Sequence, residues 1–592
     1  MGPTLVHRLM HFAGDRPDAP ALHGLDPEGQ PFVLTWGEYG LGAREVAAGL
    51  AGLGIEAGQR VGIIADNRPE WVMAQMGIMA TGAVPAPMYA TLLAEQIAFC
   101  LDHADIQLAF CDSEAQAAKL RAAAGDRDLR IVGLVPFEGE DVMSLDELRA
   151  LGRADLSVAD ARIEALDPDA MGLLIYTSGT TGEPKGVMLR HRGLTIMADA
   201  TLKRFPLLAG GYRYVSYLPL CHVAEQLMTN YSQLTGGSEV WFIDDPKNLR
   251  DALVEVHPQV VLGVPRVWEK MQAALEARLR EATGVRAMLA KWALATELAG
   301  FDADVKRDDG KQRIGLRRRI ARRLVIDRIK DAIGLDQVQV AVTGAAPISE
   351  STLRFFASIG ITLYEGYGMS ETSGIATAAE YLRPRFGTVG RALDSVEIRI
   401  ADDGEILMRG PIMTTGYLHR PALTAELIDD DGWVHSGDLG SIDDEGNLRI
   451  TGRKKDILIT AGGKNIAPAE LESYIQSIDG VGQAMVVGDR KPYLSALITL
   501  DPEALPAVAK GAGIPEADLP TLAKSPEVGA WVQAQIEEVC NTRVAQVQTI
   551  KRSSVLPVEF TVDGGELTPT MKLKRRIVGD RYAAAIEALY TG

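Results

Sequence analysis

The strongest constraint on the fold is an alternation of periods. "WGEYGLGAREVAAGLAGLG", beginning at Trp36, repeats apolar residues at helical spacing and ends on glycine. "RVGIIAD" then reads as a short buried strand, "PEWVMAQMGIMATG" as a second helix and "GAVPAPMYA" as a second strand. Strands separated by helices return to the same sheet by crossing over it, so they run parallel, and a parallel sheet needs cover on both faces. Layered α/β structure is therefore expected for the first part of the chain. The longest charge-free run, Trp71–Ala94, holds Gln75, Pro85 and Pro87 and reads as a core helix and strand, not a membrane span.

At 592 residues the chain is long enough for two or more domains, and its texture changes twice. Residues 265–335 carry longer helices, with nine Lys/Arg against one Asp from Lys311 to Lys330. That stretch reads first as a solvated helix face; it also suits contact with a membrane surface or an acidic partner. From about Asp394 short strands and Asp/Gly hairpin turns take over, in "ADDGEI" and "DDEGNLRI", neither with the acidic spacing of a calcium loop. Beyond Arg453 a smaller unit has its own helix, "APAELESYIQSI", strands "QAMVVGD" and "LSALITL", and a helical insertion over 505–550. The charged "RKKD" at Arg453–Asp456 marks the boundary. The expectation is a large N-terminal domain (1–452) of layered α/β subdomains plus a β-rich subdomain, a hinge (453–456) and a small mobile α+β C-terminal domain (457–592).

Directly behind the apolar run "GLLIY" lies "YTSGTTGEPKG", Tyr176 to Gly186. It holds four hydroxyls (Thr177, Ser178, Thr180, Thr181), three glycines (Gly179, Gly182, Gly186) and Lys185, with Pro184 excluding a helix. Glycines let backbone N–H groups turn inward, hydroxyls add donors and a lysine adds mobile positive charge, which together suit phosphate oxygens. Strand-like residues follow the lysine where a nucleotide loop of the common ATPases would open a helix, so a motor or GTPase is not indicated. The net charge of −18 argues against nucleic-acid binding but leaves room for a local anion site. Cys100, Cys111, Cys221 and Cys540 are scattered without ligand spacing and read as reduced packing thiols. The N-terminus shows no apolar signal segment, and Pro3 and Val6 break the myristoylation pattern, so a cytoplasmic protein is expected.

Four further stretches complete a set: "YEGYGMSETSG" (Tyr364–Gly374), "GWVHSGDLG" (Gly432–Gly440), "GRKKDILITAGGKNIAPAELE" from Gly452, and "LTPTMKLKRRIV" near the C-terminus. Each alone has a structural explanation. In this order and spacing they resemble the adenylate-forming superfamily of acyl-CoA synthetases, luciferases and peptide-synthetase adenylation domains, from about residue 15 to 585. The resemblance implies that Thr177, Ser178, Gly179, Thr180, Thr181, Gly182 and Lys185 hold the phosphates of ATP. It implies that Glu371, with Thr177, binds Mg²⁺, a hard cation suited to carboxylate and phosphate oxygens. Adenine would lie between Tyr367, with Glu365, Gly366, Gly368 and Ser370 beside it, and the "GAAP" wall of Gly344, Ala345 and Ala346. Asp438 and Arg453 would contact the ribose. A lysine between the attacking carboxylate and the α-phosphate would relieve their repulsion. The family's Ser-Gly-Lys context is here Thr570-Met571-Lys572-Leu573-Lys574; Lys572 matches the register and Lys574 is the alternative. Lys455 matches the residue about which the C-terminal domain turns, and Gly462, Gly463 and Lys464 would then face the pantetheine arm of CoA.

"LGVPRVWEKM", the long segment to "VAVTGAAPIS" and the C-terminal helical insertion are most similar to long-chain fatty acyl-CoA synthetases of bacterial and bubblegum type. His222, in "SYLPLCHVAEQ", would border the acyl pocket or serve as a packed, hydrogen-bonded histidine. The implied substrates are a fatty acid, ATP and CoA, with medium-chain and aryl acids as open alternatives. A ligase that passes acyl-AMP to a carrier protein, and a non-catalytic lipid-binding homologue, are the rival readings. Monomer and homodimer both fit, as does peripheral membrane contact through Lys311–Lys330.

Overall fold

The structure, a computed structural model, describes residues 2–137, 139, 141–177, 184–561, 564–568 and 572–591. The chain divides into two compact units. Residues 1–345, 355–398 and 407–435 form the larger, and residues 346–354, 399–406 and 436–592 the smaller.

The larger unit follows the alternation. Thr35 and Glu38 cap each other reciprocally to start the helix Trp36–Gly52. The helix Pro69–Ala80 buries every residue except Glu70, so its sequence is apolar all round. One sheet has five parallel strands in the order Val84–Met88, Arg60–Ile64, Leu108–Cys111, Arg130–Gly133 and Val142–Ser144. Pro85 and Pro87 fall in Val84–Met88 at the sheet's edge, where a missing N–H is tolerated. The other sheet has nine strands in the order Arg391–Ala392, Gly374–Ala378, Leu363–Met369, Val340–Gly344, Val260–Gly263, Arg213–Ser216, Glu239–Phe242, Pro20–Leu25 and Pro31–Thr35. Its six inner strands, from Leu363–Met369 to Pro20–Leu25, are parallel, and the outer ones pair antiparallel. Met171–Thr177 and Lys185–Arg190 form a separate antiparallel hairpin on either side of the hydroxyl-rich loop. Among the described residues no helix is long and apolar enough to cross a membrane.

The basic stretch departs from a uniformly solvated face. Arg318 is buried, its guanidinium on Glu297 at 2.7 Å and Asp304 at 2.5 Å, and Arg322 reaches the same Glu297 at 2.6 Å. Glu297 and Asp304 belong to the preceding helix, Gly284–Arg307, so spacing within the basic run does not reveal them. All four cysteines are free and buried, and burial pushes the thiols of Cys100 and Cys111 up to about 12, as suits packing residues.

In the smaller unit, strands Val481–Val487, Leu494–Leu500 and Ile550–Leu556 make a sheet beside the helix Pro468–Gln476. The third strand pairs parallel to the second, and that pairing demands a crossover. Helices Leu505–Ala512, Leu519–Lys524 and Pro526–Val539 supply it. What the sequence presents as an insertion is thus the connection the sheet requires.

Candidate active site

The hairpin Met171–Thr177/Lys185–Arg190 sets Thr177 directly opposite Lys185. Ser178, Gly179, Thr180, Thr181 and Gly182, the rest of the expected phosphate loop, lie outside the described residues. The second strand of the hairpin is held by residues 414–418. Met188 N–H donates to Gly416 O at 3.1 Å, Thr415 N–H to Met188 O at 3.2 Å and Leu418 N–H to Gly186 O at 2.9 Å. From the same segment Thr414 N–H donates to Glu371 O at 2.7 Å. The buried Tyr417 closes the arrangement: its hydroxyl donates to Glu371 Oε1 at 2.7 Å, and Lys185 Nζ lies 4.8 Å from its ring centroid. Burial, and then the Glu371 charge, raise the Tyr417 phenol well above its ordinary value, so it stays a donor at neutral pH.

Glu371 reaches this place because the strand Leu363–Met369 runs into a tight turn, Ser370–Thr372. Thr372 Oγ1 accepts from Met369 N–H at 3.0 Å, and Ser373 adopts a left-handed φ of 56°. Glu371 itself is only 6% exposed. A buried carboxylate and the Thr177 hydroxyl are both hard oxygen donors, the chemistry a magnesium ion requires.

Glu365, Gly366, Tyr367 and Gly368 lie along the strand Leu363–Met369, and Gly344 pairs with Gly366 on the neighbouring parallel strand. A Cβ at Gly344 would sit 2.7 Å from Gly366 O, so glycine is required there. Ala345 follows with a left-handed φ of 70°, a strained conformation for a residue with a Cβ. These groups gather at the C-terminal ends of parallel strands, where α/β sheets commonly bind ligands. His222 caps the short helix Val223–Gln226, its Nδ1 accepting from Ala224 N–H at 3.2 Å. Sequence reading passed over Tyr417, an uncharged residue in "TTGYLHR", and over Glu225. Glu225 is fully buried, accepts from Tyr214 at 2.9 Å and Thr229 at 2.6 Å, and burial pushes its carboxyl up to about 7. The signal available was a lone acid in the apolar stretch "LCHVAEQLM".

In the smaller unit, Asp438 and Arg453 pair across the hairpin formed by Val434–Ile442 and Leu448–Arg453, with Arg453 Nε 2.9 Å from Asp438 Oδ1. Lys454 is fixed by Asp403 at 2.6 Å and Glu405 at 3.1 Å, and the exposed Lys455 follows in the same turn. Gly462, Gly463 and Lys464 are exposed on a small hairpin closed by Thr460 N–H donating to Lys464 O at 3.0 Å. Gly463, at φ 72°, needs glycine; a Cβ at Gly462 would meet only Thr460 Oγ1, at 3.9 Å. Lys572 is exposed and is bonded to Thr568 twice: Thr568 N–H donates to Lys572 O at 2.8 Å and Lys572 N–H to Thr568 Oγ1 at 3.0 Å. Lys574 is half-buried at the start of the helix Arg575–Arg581. Ala346 also belongs to this unit.

A family model described as AMP-binding enzyme matches residues 9–418, and one described as AMP-binding enzyme C-terminal domain matches 455–592. The chain is 38% identical over 569 residues to the long-chain-fatty-acid–CoA ligase FadD15 of Mycobacterium bovis, covering 94% of this chain and 92% of that protein. It is 32% identical over 592 residues to the Homo sapiens long-chain-fatty-acid–CoA ligase ACSBG2, covering 94% and 88%. Among solved structures, the A-PCP didomain of carboxylic acid reductase from Segniliparus rugosus in complex with AMP superposes with a TM-score of 0.76 at 20% identity, covering 100% of this chain and 82% of that one. ATP-bound MatB from Rhodopseudomonas palustris superposes at 0.71 with 22% identity, covering 98% and 99%. These two likenesses show the fold.

Proposed function

The chain belongs to the AMP-binding enzyme family, and within it we propose an ATP-dependent long-chain fatty acid–CoA ligase. The observation that carries this reading is the full-length likeness to long-chain-fatty-acid–CoA ligases, joined to the linked group Lys185–Tyr417–Glu371 beside the expected phosphate loop. In the first half-reaction a carboxylate oxygen attacks the α-phosphorus of ATP and pyrophosphate leaves. In the second the CoA thiol attacks the acyl carbonyl and AMP leaves. Lys185 would hold the departing phosphates, the strands ending at Gly344 and carrying Tyr367 would receive adenine, and Asp438 with Arg453 would take the ribose hydroxyls. Glu371 and Thr177 would hold Mg²⁺, which would neutralise phosphate charge. Lys572 would place its ammonium where carboxylate and α-phosphate repel. Lys455 would be the point about which the smaller unit turns, after which Gly462 to Lys464 would line the approach of CoA.

The first test is AMP release from ATP and Mg²⁺ with fatty acids from C2 to C20, with and without CoA. CoA-dependent release peaking at long chains is expected. Acyl-AMP formed indifferently to CoA would mean a carrier-protein ligase, and no AMP from any acid would sink the ligase reading.

For peripheral membrane contact, support comes from the outward side of the basic stretch. Leu316, Ile320 and Leu324 recur every four residues and are all exposed, and exposed Arg317, Arg319, Arg323 and Arg328 interleave with them. An apolar stripe among arginines suits an anionic bilayer surface. Sedimentation with phosphatidylglycerol vesicles should fall at least several-fold in a Leu316→Ser/Ile320→Ser/Leu324→Ser variant. Equal sedimentation of wild type and variant would reject this contact.

A further inference from the structure

Resting on the adenylation reading, we propose that Tyr417 is a positioning residue for magnesium-dependent ATP binding, its hydroxyl holding Glu371 and its ring holding Lys185 so that the two charges stay apart until nucleotide arrives. A lysine and a buried carboxylate serving one small site attract each other strongly where water is scarce. Paired directly, they would have to be separated before either could serve a triphosphate or its cation. Among the described residues no ion pair joins them, and each instead contacts a different part of one phenol. The ammonium lies over the ring face, where the quadrupole is negative. The carboxylate accepts from the hydroxyl, a charge-assisted bond that fixes the orientation of its plane.

The backbone that carries the ring is held in place. Tyr417 bridges to Val187 on the strand that begins with Lys185, and its N–H donates to Thr424 Oγ1 at 2.9 Å. The preceding Gly416 has φ 126°, and a Cβ there would come within 2.4 Å of Thr424 Cγ2, so the backbone approaches Thr424 as only glycine permits. The neighbouring Thr414 donates its N–H to the Glu371 backbone. One short segment therefore sets the lysine strand, the acidic turn and the side chain between them. A purely space-filling residue would need neither the hydroxyl on Glu371 nor the ring under Lys185.

The test measures ATP affinity by titration calorimetry on the full chain without fatty acid, in Mg²⁺ and in EDTA. Tyr417→Phe keeps the ring and loses the hydroxyl. The Mg²⁺-dependent gain in ATP affinity should fall about ten-fold, the scale of one hydrogen bond to a charged group, with affinity in EDTA unchanged. In a Glu371→Gln background the same substitution should add no further loss, because its target is already altered. An unchanged ratio of the two affinities in Tyr417→Phe, or an equal loss in both media, overturns the proposal and leaves adenylation standing. A wild-type chain that binds ATP in neither medium overturns the adenylation reading and this proposal together. The near-isosteric Phe keeps the packing, and an unshifted thermal midpoint checks that.

Discussion

Lys572→Ala should lose acyl-AMP formation by on the order of 10²–10³-fold while still making thioester from supplied acyl-AMP and CoA. The two half-reactions ask different things of this lysine. In the first, an anionic carboxylate approaches an anionic phosphate, and an ammonium between them offsets repulsion that grows as the bond forms. In the second, a thiol attacks a neutral acyl carbonyl, and AMP departs without that like-charge encounter. The local structure favours Lys572 over its neighbour: Lys572 stands exposed with two backbone bonds to Thr568, whereas Lys574 is half-buried where a helix begins. Pyrophosphate release with acid and ATP, set beside CoA-thioester formation from synthetic acyl-AMP, separates the two steps. Intact pyrophosphate release in Lys572→Ala, with loss in Lys574→Ala, would move the role two residues on. Loss of both half-reactions would point to a folding defect in the variant.

Much of this was legible because the relevant physics is local. Helix and strand periods forecast the helix Trp36–Gly52, the core helix Pro69–Ala80 and both strands around the phosphate loop, since burial on one or both faces writes itself into spacing. Asp438 and Arg453 carried a motif signal, and the hairpin pairs them in register. Tyr417 carried none. It matters through a hydrogen bond 46 residues back in the chain and a cation contact with Lys185 on another segment, and neither leaves a mark on "TTGYLHR". The helical stretch over 505–550 misled for a related reason: an insertion and a parallel crossover look alike until the strand pairing is known. Glu225 was passed over because a lone acid in an apolar run is read as a break in the pattern, when it is the centre of a buried hydrogen-bond network.

The basic stretch shows most sharply how composition alone can mislead, and it yields the second large effect. Glu297 is fully buried and receives both Arg318 and Arg322, with Asp304 as a second partner of Arg318. Removing one member of a buried ionic group leaves the others desolvated and uncompensated, which typically costs about 3–5 kcal/mol. Glu297→Ala should therefore lower the unfolding free energy by that scale at neutral pH, seen as an earlier midpoint in denaturant. Burial alone would raise the Glu297 carboxyl, but the hydrogen bonds and charges of Arg322 and Arg318 outweigh it and hold it below its ordinary value. A depressed acid of this kind stabilises the fold above the ordinary carboxylate range, and its contribution is lost as pH falls through the folded value. The gap between wild type and Glu297→Ala should accordingly narrow on acidification. Replacing the group together, Glu297→Leu with Arg318→Met and Arg322→Leu, should restore part of the loss, because no charge on Glu297, Arg318 or Arg322 is then left without its partner and Asp304, which loses Arg318, keeps Arg307. Equal midpoints for wild type and Glu297→Ala would mean that water reaches these arginines, and Arg318 and Arg322 would rejoin the solvated face first read from the sequence.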